Sequence, residues 1–209
     1  MRKIFNGNYL EWRKTLIKNK YKILLSFLFL FIAVVVTVLS GHYTTTKGMA
    51  TSTDLFLDNF GPIDLHLIFS YGFYLVVGIL ILFPLFYDIK KFHLAISHFS
   101  LIIIIRSIFI TLTHLKTPVD AIPPGFSGVL EIFVMQNDLF FSGHTAIPFI
   151  GFLVFHDSKI KYVFLALSIL LGLTSLLMHR HYTIDVLSAF FIAYGTYKLG
   201  QWVFNKYNF

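Results

Sequence analysis

Ile23–Leu39 is a continuous apolar run broken only by Ser26 and Thr37, and five comparable stretches follow it along the chain. They are Leu65–Tyr87, about His93 to His114, Leu139–Phe155, Tyr162–Met178 and Thr183–Phe204, each about 17–23 residues long. That length matches the ~20 residues with which a helix crosses a bilayer. Hydrocarbon offers no water to bond a bare peptide group, so a spanning segment of this kind is expected to be helical. The expected fold is therefore all-α: a polytopic membrane protein with six transmembrane helices and both termini cytoplasmic. Composition agrees. Hydrophobic residues make up 56% and charged residues 13% of the chain, against about 25% charged in a soluble domain. The absence of cysteine excludes disulfides and thiolate metal sites. No repeat or low-complexity tract is evident.

The first run is too long for a signal-peptide core and has no Ala-x-Ala cleavage site, which predicts a retained anchor. Before it, residues 1–21 interleave basic residues with Ile4, Phe5, Leu10, Trp12, Leu16 and Ile17. This fits an amphipathic helix lying on the membrane, or a loose basic tail. The expected organisation is a basic amphipathic segment over residues 1–21 and a six-span catalytic membrane domain over residues 22–205. The net charge of +7 invites a nucleic-acid reading, but its distribution argues otherwise: seven of the 17 basic residues fall in the first 22 positions. With the N-terminus inside, 12 basic residues lie on the cytoplasmic side and three, Lys47, Lys116 and Arg180, in the outer loops. The positive-inside rule is then well obeyed, and Arg106 and Lys198 remain in or near spans.

This topology brings scattered polar residues to one depth. His144 falls in the first turns of span four, and His181 and Asp185 at the start of span six. Arg106 lies in the outer half of span three, with Thr113 near its mouth. Ionisable groups at such depth are costly and usually functional. His181 and Asp185 are one helical turn apart, so their side chains can meet on one face. The carboxylate can then fix the imidazole tautomer and leave the other nitrogen as a nucleophile or base. Arg106 needs an anion: either a lipid phosphate, which its planar fork suits, or an ion pair with Asp120, Glu131 or Asp138.

Phe141-Ser142-Gly143-His144-Thr145, preceded by Asn137-Asp138, resembles the Gly-Asp-x-x-x-Ser-Gly-His-Thr motif of the sphingomyelin synthase and ceramide phosphoethanolamine synthase family. His181-Tyr182-Thr183-Ile184-Asp185-Val186 is similar to that family's His-Tyr-[Ser/Thr]-x-Asp-Val motif. Arg106 to Thr113, followed by Thr117-Pro118, resembles its Arg-led third-span motif, and Pro62-Ile63-Asp64-Leu65 is a weaker echo of Pro-Leu-Pro-Asp. The resemblance covers roughly residues 60–204. One departure is Asn137, where the family has Gly. The phosphatidic acid phosphatase type 2 superfamily shares the core of two histidines and one aspartate. Its phosphatase members add cationic motifs that this chain lacks: no Lys-x6-Arg-Pro occurs, and Ser175 stands where they carry an Arg.

The resemblance implies a lipid phosphotransferase moving a phosphocholine or phosphoethanolamine headgroup to a ceramide-like or diacylglycerol hydroxyl. Phospholipase C-type hydrolysis follows if water replaces the acceptor. The expected catalytic residues are His181 as nucleophile, Asp185 orienting it, and His144 as acid and base. Arg106, Asp138, Ser142, Thr113, Tyr182 and Glu131 are expected around the substrate, with Asp138 or Glu131 orienting His144. No cofactor or metal is expected. The partners are a phospholipid donor and a lipid-alcohol acceptor, with no nucleic acid. The compact chain, rich in Lys, Asn and Ile, suggests a bacterial plasma membrane with the site facing the periplasmic or extracellular side. The alternatives are a lipid phosphate phosphatase, a metallohydrolase using His144, His179, His181 and Asp185, and a non-enzymatic lipid scramblase. Without a Gly-x-Ser-x-Gly elbow, Ser142 is not expected to act as a hydrolase nucleophile.

Overall fold

The structure, a computed structural model, describes residues 9–47, 50–125 and 137–206. Seven α-helices carry it: α1 Tyr9–Lys18, α2 Lys20–Lys47, α3 His66–Tyr87, α4 Phe92–Thr113, α5 Gly143–Val154, α6 Ile160–Leu177 and α7 Thr183–Lys206. A single 3-10 turn, Ile89–Lys91, leads into α4. Among the described residues the only β element is an isolated bridge between Ala50 and Leu115. The protein is all-helical, and four helices are long and apolar enough to cross a membrane: α2, α3, α4 with its leading turn, and α6.

Three segments differ from the sequence expectation. Span four was expected over Leu139–Phe155, but α5 has only 12 residues, about 18 Å of helix at 1.5 Å per residue. That is too short for a hydrocarbon core of about 30 Å. The chain before it is held in a non-helical path: Asn137 sits at φ +59°, and the carbonyls of Asp138, Leu139 and Phe141 accept from Arg106 and Thr113 instead of from a helical turn. By contrast, α2 runs eight residues past Leu39, where the apolar run ends. Ser40, Thr44, Thr45 and Thr46 each donate a hydroxyl to a carbonyl three or four residues back, so their polarity is absorbed by the helix itself. Finally, α7 has 24 residues, but Asp185, Ser188, Thr196, Lys198 and Gln201 interrupt it, and it is not among the four apolar helices.

The packing explains how so short a helix is held. α5 lies against α4, α6 and α7, with Ala146, Ile147, Pro148 and Ile150 buried. Its core neighbours include Ile102, Leu171, Ala189 and Ala193. Gly172 permits the approach of α6, since a Cβ there would stand 2.9 Å from Thr145 Oγ1. α2 packs along α4, while α3 rests on α4, α5 and α6. Large apolar side chains such as Phe31, Leu82, Leu173, Phe191 and Trp202 point outward, as expected of a surface solvated by lipid tails.

From α2 to α7 the contacts between connecting segments alternate from one end of the helices to the other, which creates two ends of different character. At one, Lys91 pairs with Asp157 and holds that carboxyl below its ordinary range. Lys90, Lys159 and Lys206 lie near it, and the indole N–H of Trp12 in α1 donates to Leu85 O at 2.7 Å. At the other, the connecting segments knit together. Lys116 N–H donates to Ala50 O (2.8 Å), Ile63 N–H to Leu177 O (2.7 Å) and Ile122 N–H to Met178 O (3.0 Å). The predicted polar constellation lies at this knitted end.

Candidate active site

His181 and Asp185 meet as their spacing predicts. His181 Nδ1 donates to Asp185 Oδ2 at 3.2 Å, and the backbone N–H of Tyr182 donates to the same oxygen at 3.1 Å. Asp185 is completely buried and His181 is 5% exposed. With Nδ1 committed, His181 presents Nε2 toward the cavity that it lines. A backbone hydrogen bond from Ser142 N–H to Asp185 O, at 3.1 Å, joins the start of α5 to the start of α7. The two histidine motifs are therefore fastened together directly.

The turn that presents His181 is braced from outside both motifs. Asp54, in the loop after α2, accepts from Thr183 N–H at 2.6 Å and from Thr183 Oγ1 at 2.7 Å. It also accepts from the backbone N–H groups of Phe56 and Leu57. Burial works to raise its pKa, but these bonds, led by those from Thr183, outweigh it and hold the carboxyl below its ordinary value. A carboxylate here also faces the positive end of the α7 dipole. Tyr182 points away from the cavity, donating to Lys116 O at 3.0 Å and accepting from Ser52 N–H at 3.1 Å. Just before the turn, His179 occupies a left-handed conformation and bonds Asp120 Oδ2 through Nδ1 at 2.8 Å.

His144 sits one residue into α5 with its ring stacked on Phe69, the centroids 3.7 Å apart, and Phe73 close by at 4.5 Å. Its Nε2 is buried and has no hydrogen-bond partner among the described residues. Gly143 allows Arg106 to pass beside it: a Cβ there would stand 3.3 Å from Arg106 Nε. Arg106 is tied into the chain before α5. Its Nε donates to Phe141 O at 3.3 Å, and its Nη2 donates to Asp138 O at 2.7 Å and to Asp138 Oδ2 at 2.8 Å. Of the two anions weighed for Arg106, the one in place is the Asp138 carboxylate. That carboxylate accordingly faces Arg106, and no bond joins it to His144. Asn137 stands at positive φ. Asn is the residue that most readily replaces Gly at positive φ, and here its side chain and backbone exchange hydrogen bonds with Thr117 at 3.0 Å each.

A cavity of about 480 Å³ opens onto these groups. At its polar end lie Arg106, Asp138, His144, Arg180 and His181; from there it runs between α2 and α3 as an apolar trough reaching Leu30, Val77 and Ile81. From Phe69 to Ile81 the trough follows 12 residues of α3, about 18 Å. Thr113 and Ser142 do not line it. Thr113 Oγ1 donates to Leu139 O at 2.8 Å, and Ser142 Oγ is buried with no hydrogen-bond partner among the described residues. Glu131 lies outside the described residues.

Arg180 is the residue that the sequence analysis missed. It was assigned to an aqueous outer loop as a topology marker, whereas it lines the polar end of the cavity between two histidines. Burial draws its guanidinium below its ordinary pKa, and Asp138 works in the opposite direction. The signal was its adjacency to His181, set aside because a four-residue polar turn reads as solvent. Asp54 was missed as well; 129 residues separate it from Thr183, and no local pattern joins them. Among the described residues, no group of three or more His, Cys, Asp or Glu is arranged to hold a metal.

Together the groups place an imidazole bonded to a buried carboxylate, a second imidazole, two guanidinium groups and an apolar trough around one cavity. Such a set suits attack on a phosphate ester carried by a lipid. Searches of curated proteins and of solved structures found no match to the chain. Residues 136–202, which contain His144, Arg180, His181 and Asp185, match the family model described as PAP2 superfamily C-terminal, and that match supports the phosphatidic acid phosphatase type 2 superfamily, an enzyme class of lipid phosphatases and phosphotransferases.

Proposed function

We propose that the protein is a phosphotransferase that moves a phospholipid headgroup, phosphocholine or phosphoethanolamine, to the hydroxyl of a ceramide-like lipid or diacylglycerol. The observation that carries this reading is the His181–Asp185 pair opening, beside His144, into a cavity with a hydrocarbon trough. In the first half-reaction His181 Nε2 bonds to phosphorus and the bond from phosphorus to the diacylglycerol oxygen breaks. His144 delivers the proton that this oxygen takes up. In the second, His144 removes the proton of the incoming hydroxyl, its oxygen bonds to phosphorus, and the N–P bond to His181 breaks. Asp185 keeps Nδ1 protonated throughout and stabilises the positive charge on the ring.

Charge supports a diester substrate. Arg106 is paired with Asp138, while Arg180 has no ion pair among the described residues. One net positive charge suits the single negative charge of a phosphodiester. Arg180 also favours a second reading, a lipid phosphate phosphatase, because a monoester dianion gains from every added cation. The sphingomyelin synthase-like motifs favour the transferase. Their topology, six spans with the site on the periplasmic or extracellular face of a bacterial plasma membrane, is part of the same proposal. It is supported by the basic residues clustered at the opposite end of the helices.

The test is purified protein with headgroup-labelled phosphatidylcholine or phosphatidylethanolamine, with and without ceramide or diacylglycerol, beside labelled phosphatidic acid. Transfer of label to the acceptor, with diacylglycerol as co-product, is expected. Release of inorganic phosphate from phosphatidic acid with intact phospholipids untouched replaces the proposal with the phosphatase.

A further inference from the structure

The two arginines at the polar end have different freedom. Arg106 uses Nε and Nη2, one whole edge of its fork, on the carbonyls of Phe141 and Asp138 and on the Asp138 carboxylate. Those bonds hold the non-helical chain leading into α5 and leave only Nη1 uncommitted. Arg180 makes no side-chain hydrogen bond or ion pair with the described residues, although it is substantially buried and lines the same cavity. Its backbone, in contrast, is fixed. Its N–H donates to Ser175 O at 2.9 Å, His179 on one side is anchored to Asp120, and His181 on the other to Asp185. A cation held in place at the polar end of the cavity, its donors unspent on the described residues, calls for an anion there.

We propose that Arg180 is the principal phosphate-binding cation of this site, gripping the non-bridging oxygens of the substrate while Arg106 serves as a strut for the Asp138–Phe141 segment. The inference rests on the phosphoester reading above and reverses the roles that the sequence suggests for the two residues. Its chemistry follows from the fork: two parallel N–H groups match two non-bridging oxygens, and adjacency to His181 places them beside the phosphorus that Nε2 attacks. The site thereby regains a cation that Ser175 does not supply, from a position five residues further along the chain.

The test uses the full chain in detergent, with orthovanadate as a tetrahedral oxyanion probe and headgroup-labelled phosphatidylethanolamine as substrate. R180Q is expected to keep or raise the wild-type melting temperature, because it removes a largely buried charge that makes no hydrogen bond or ion pair with the described residues. It should lose the stabilisation that orthovanadate gives the wild type, and its turnover should fall 10- to 1000-fold. R180K should recover part of both, as a point charge without the fork. R106Q should lower the melting temperature, having broken three hydrogen bonds. An R180Q protein that binds orthovanadate and turns over lipid like the wild type overturns the proposal. So does an R180Q or R180K protein destabilised as R106Q is, which would make Arg180 the strut. Should the wild type bind orthovanadate through Arg180 yet cleave no phospholipid, the anion site stands and the transferase reading falls.

Discussion

Asp54→Ala removes a carboxylate that no motif contains and should disable the site from a distance. Asp54 receives four hydrogen bonds, two of them from Thr183, the first residue of α7. Losing a carboxylate at a helix N-terminus costs typically about 1 kcal/mol, up to about 2 kcal/mol. Bonds to a charged acceptor contribute about 1.5–3 kcal/mol each, the buried donors left behind being part of that cost. Water entering the loop will satisfy the Phe56 and Leu57 donors, so the net loss should be about 2–4 kcal/mol. Asp185 lies two residues beyond Thr183, so the His181–Asp185 bond should loosen with it. Thermal unfolding in detergent should show a clear drop in melting temperature, and turnover should fall more than tenfold. The carboxyl is held below its ordinary pKa, so its stabilisation is present above about pH 4. It is lost as pH falls through the still lower folded value; the wild type should show no change from this group between pH 5 and 8. An Asp54→Ala protein with wild-type melting temperature and turnover would refute the bracing role.

Three further outcomes follow. Asn137→Ala should destabilise by about 1–2 kcal/mol, because a left-handed backbone is costly for a residue with a Cβ and the Thr117 exchange is lost; Asn137→Gly should be milder, and thermal unfolding ranks the two. Ile81→Trp should shorten the trough and shift preference toward phospholipids with shorter acyl chains, without abolishing turnover of the shortest; an unchanged chain-length profile would remove the trough from substrate binding. In this cysteine-free chain, a cysteine replacing exposed Asn59 should react with an impermeant thiol reagent outside intact cells, and one replacing exposed Lys159 should not. The reverse pattern would turn the site toward the cytoplasm.

Local signals and distant ones fared differently. The His181–Asp185 contact was legible because one helical turn is a fixed distance, and the long apolar runs because hydrocarbon length is fixed too. The start of α5 was not. Leu139, Phe140 and Phe141 are as apolar as any helix interior, and only the demands of Arg106 and Thr113 on their carbonyls keep them out of a helix. The extension of α2 was hidden for a related reason, since threonines that look turn-forming can spend their hydroxyls on their own helix. Arg180 escaped notice because hydropathy ranks residues by type, whereas the turn that carries it is anchored by distant partners, His179 by Asp120 and Tyr182 by Ser52 and Lys116. Asp138 was found by its motif, yet its engagement with Arg106 could be read only from the fold.

Nucleophilic attack by His181 passes through a covalent bond between its Nε2 and phosphorus. Purified wild-type protein, incubated with headgroup-labelled phosphatidylethanolamine in the absence of an acceptor lipid and quenched at alkaline pH, should retain label at His181 by peptide mass spectrometry. His181→Ala, tested alongside it, should carry no label and show no turnover. Normal turnover by His181→Ala, or label found on another residue, would contradict the account.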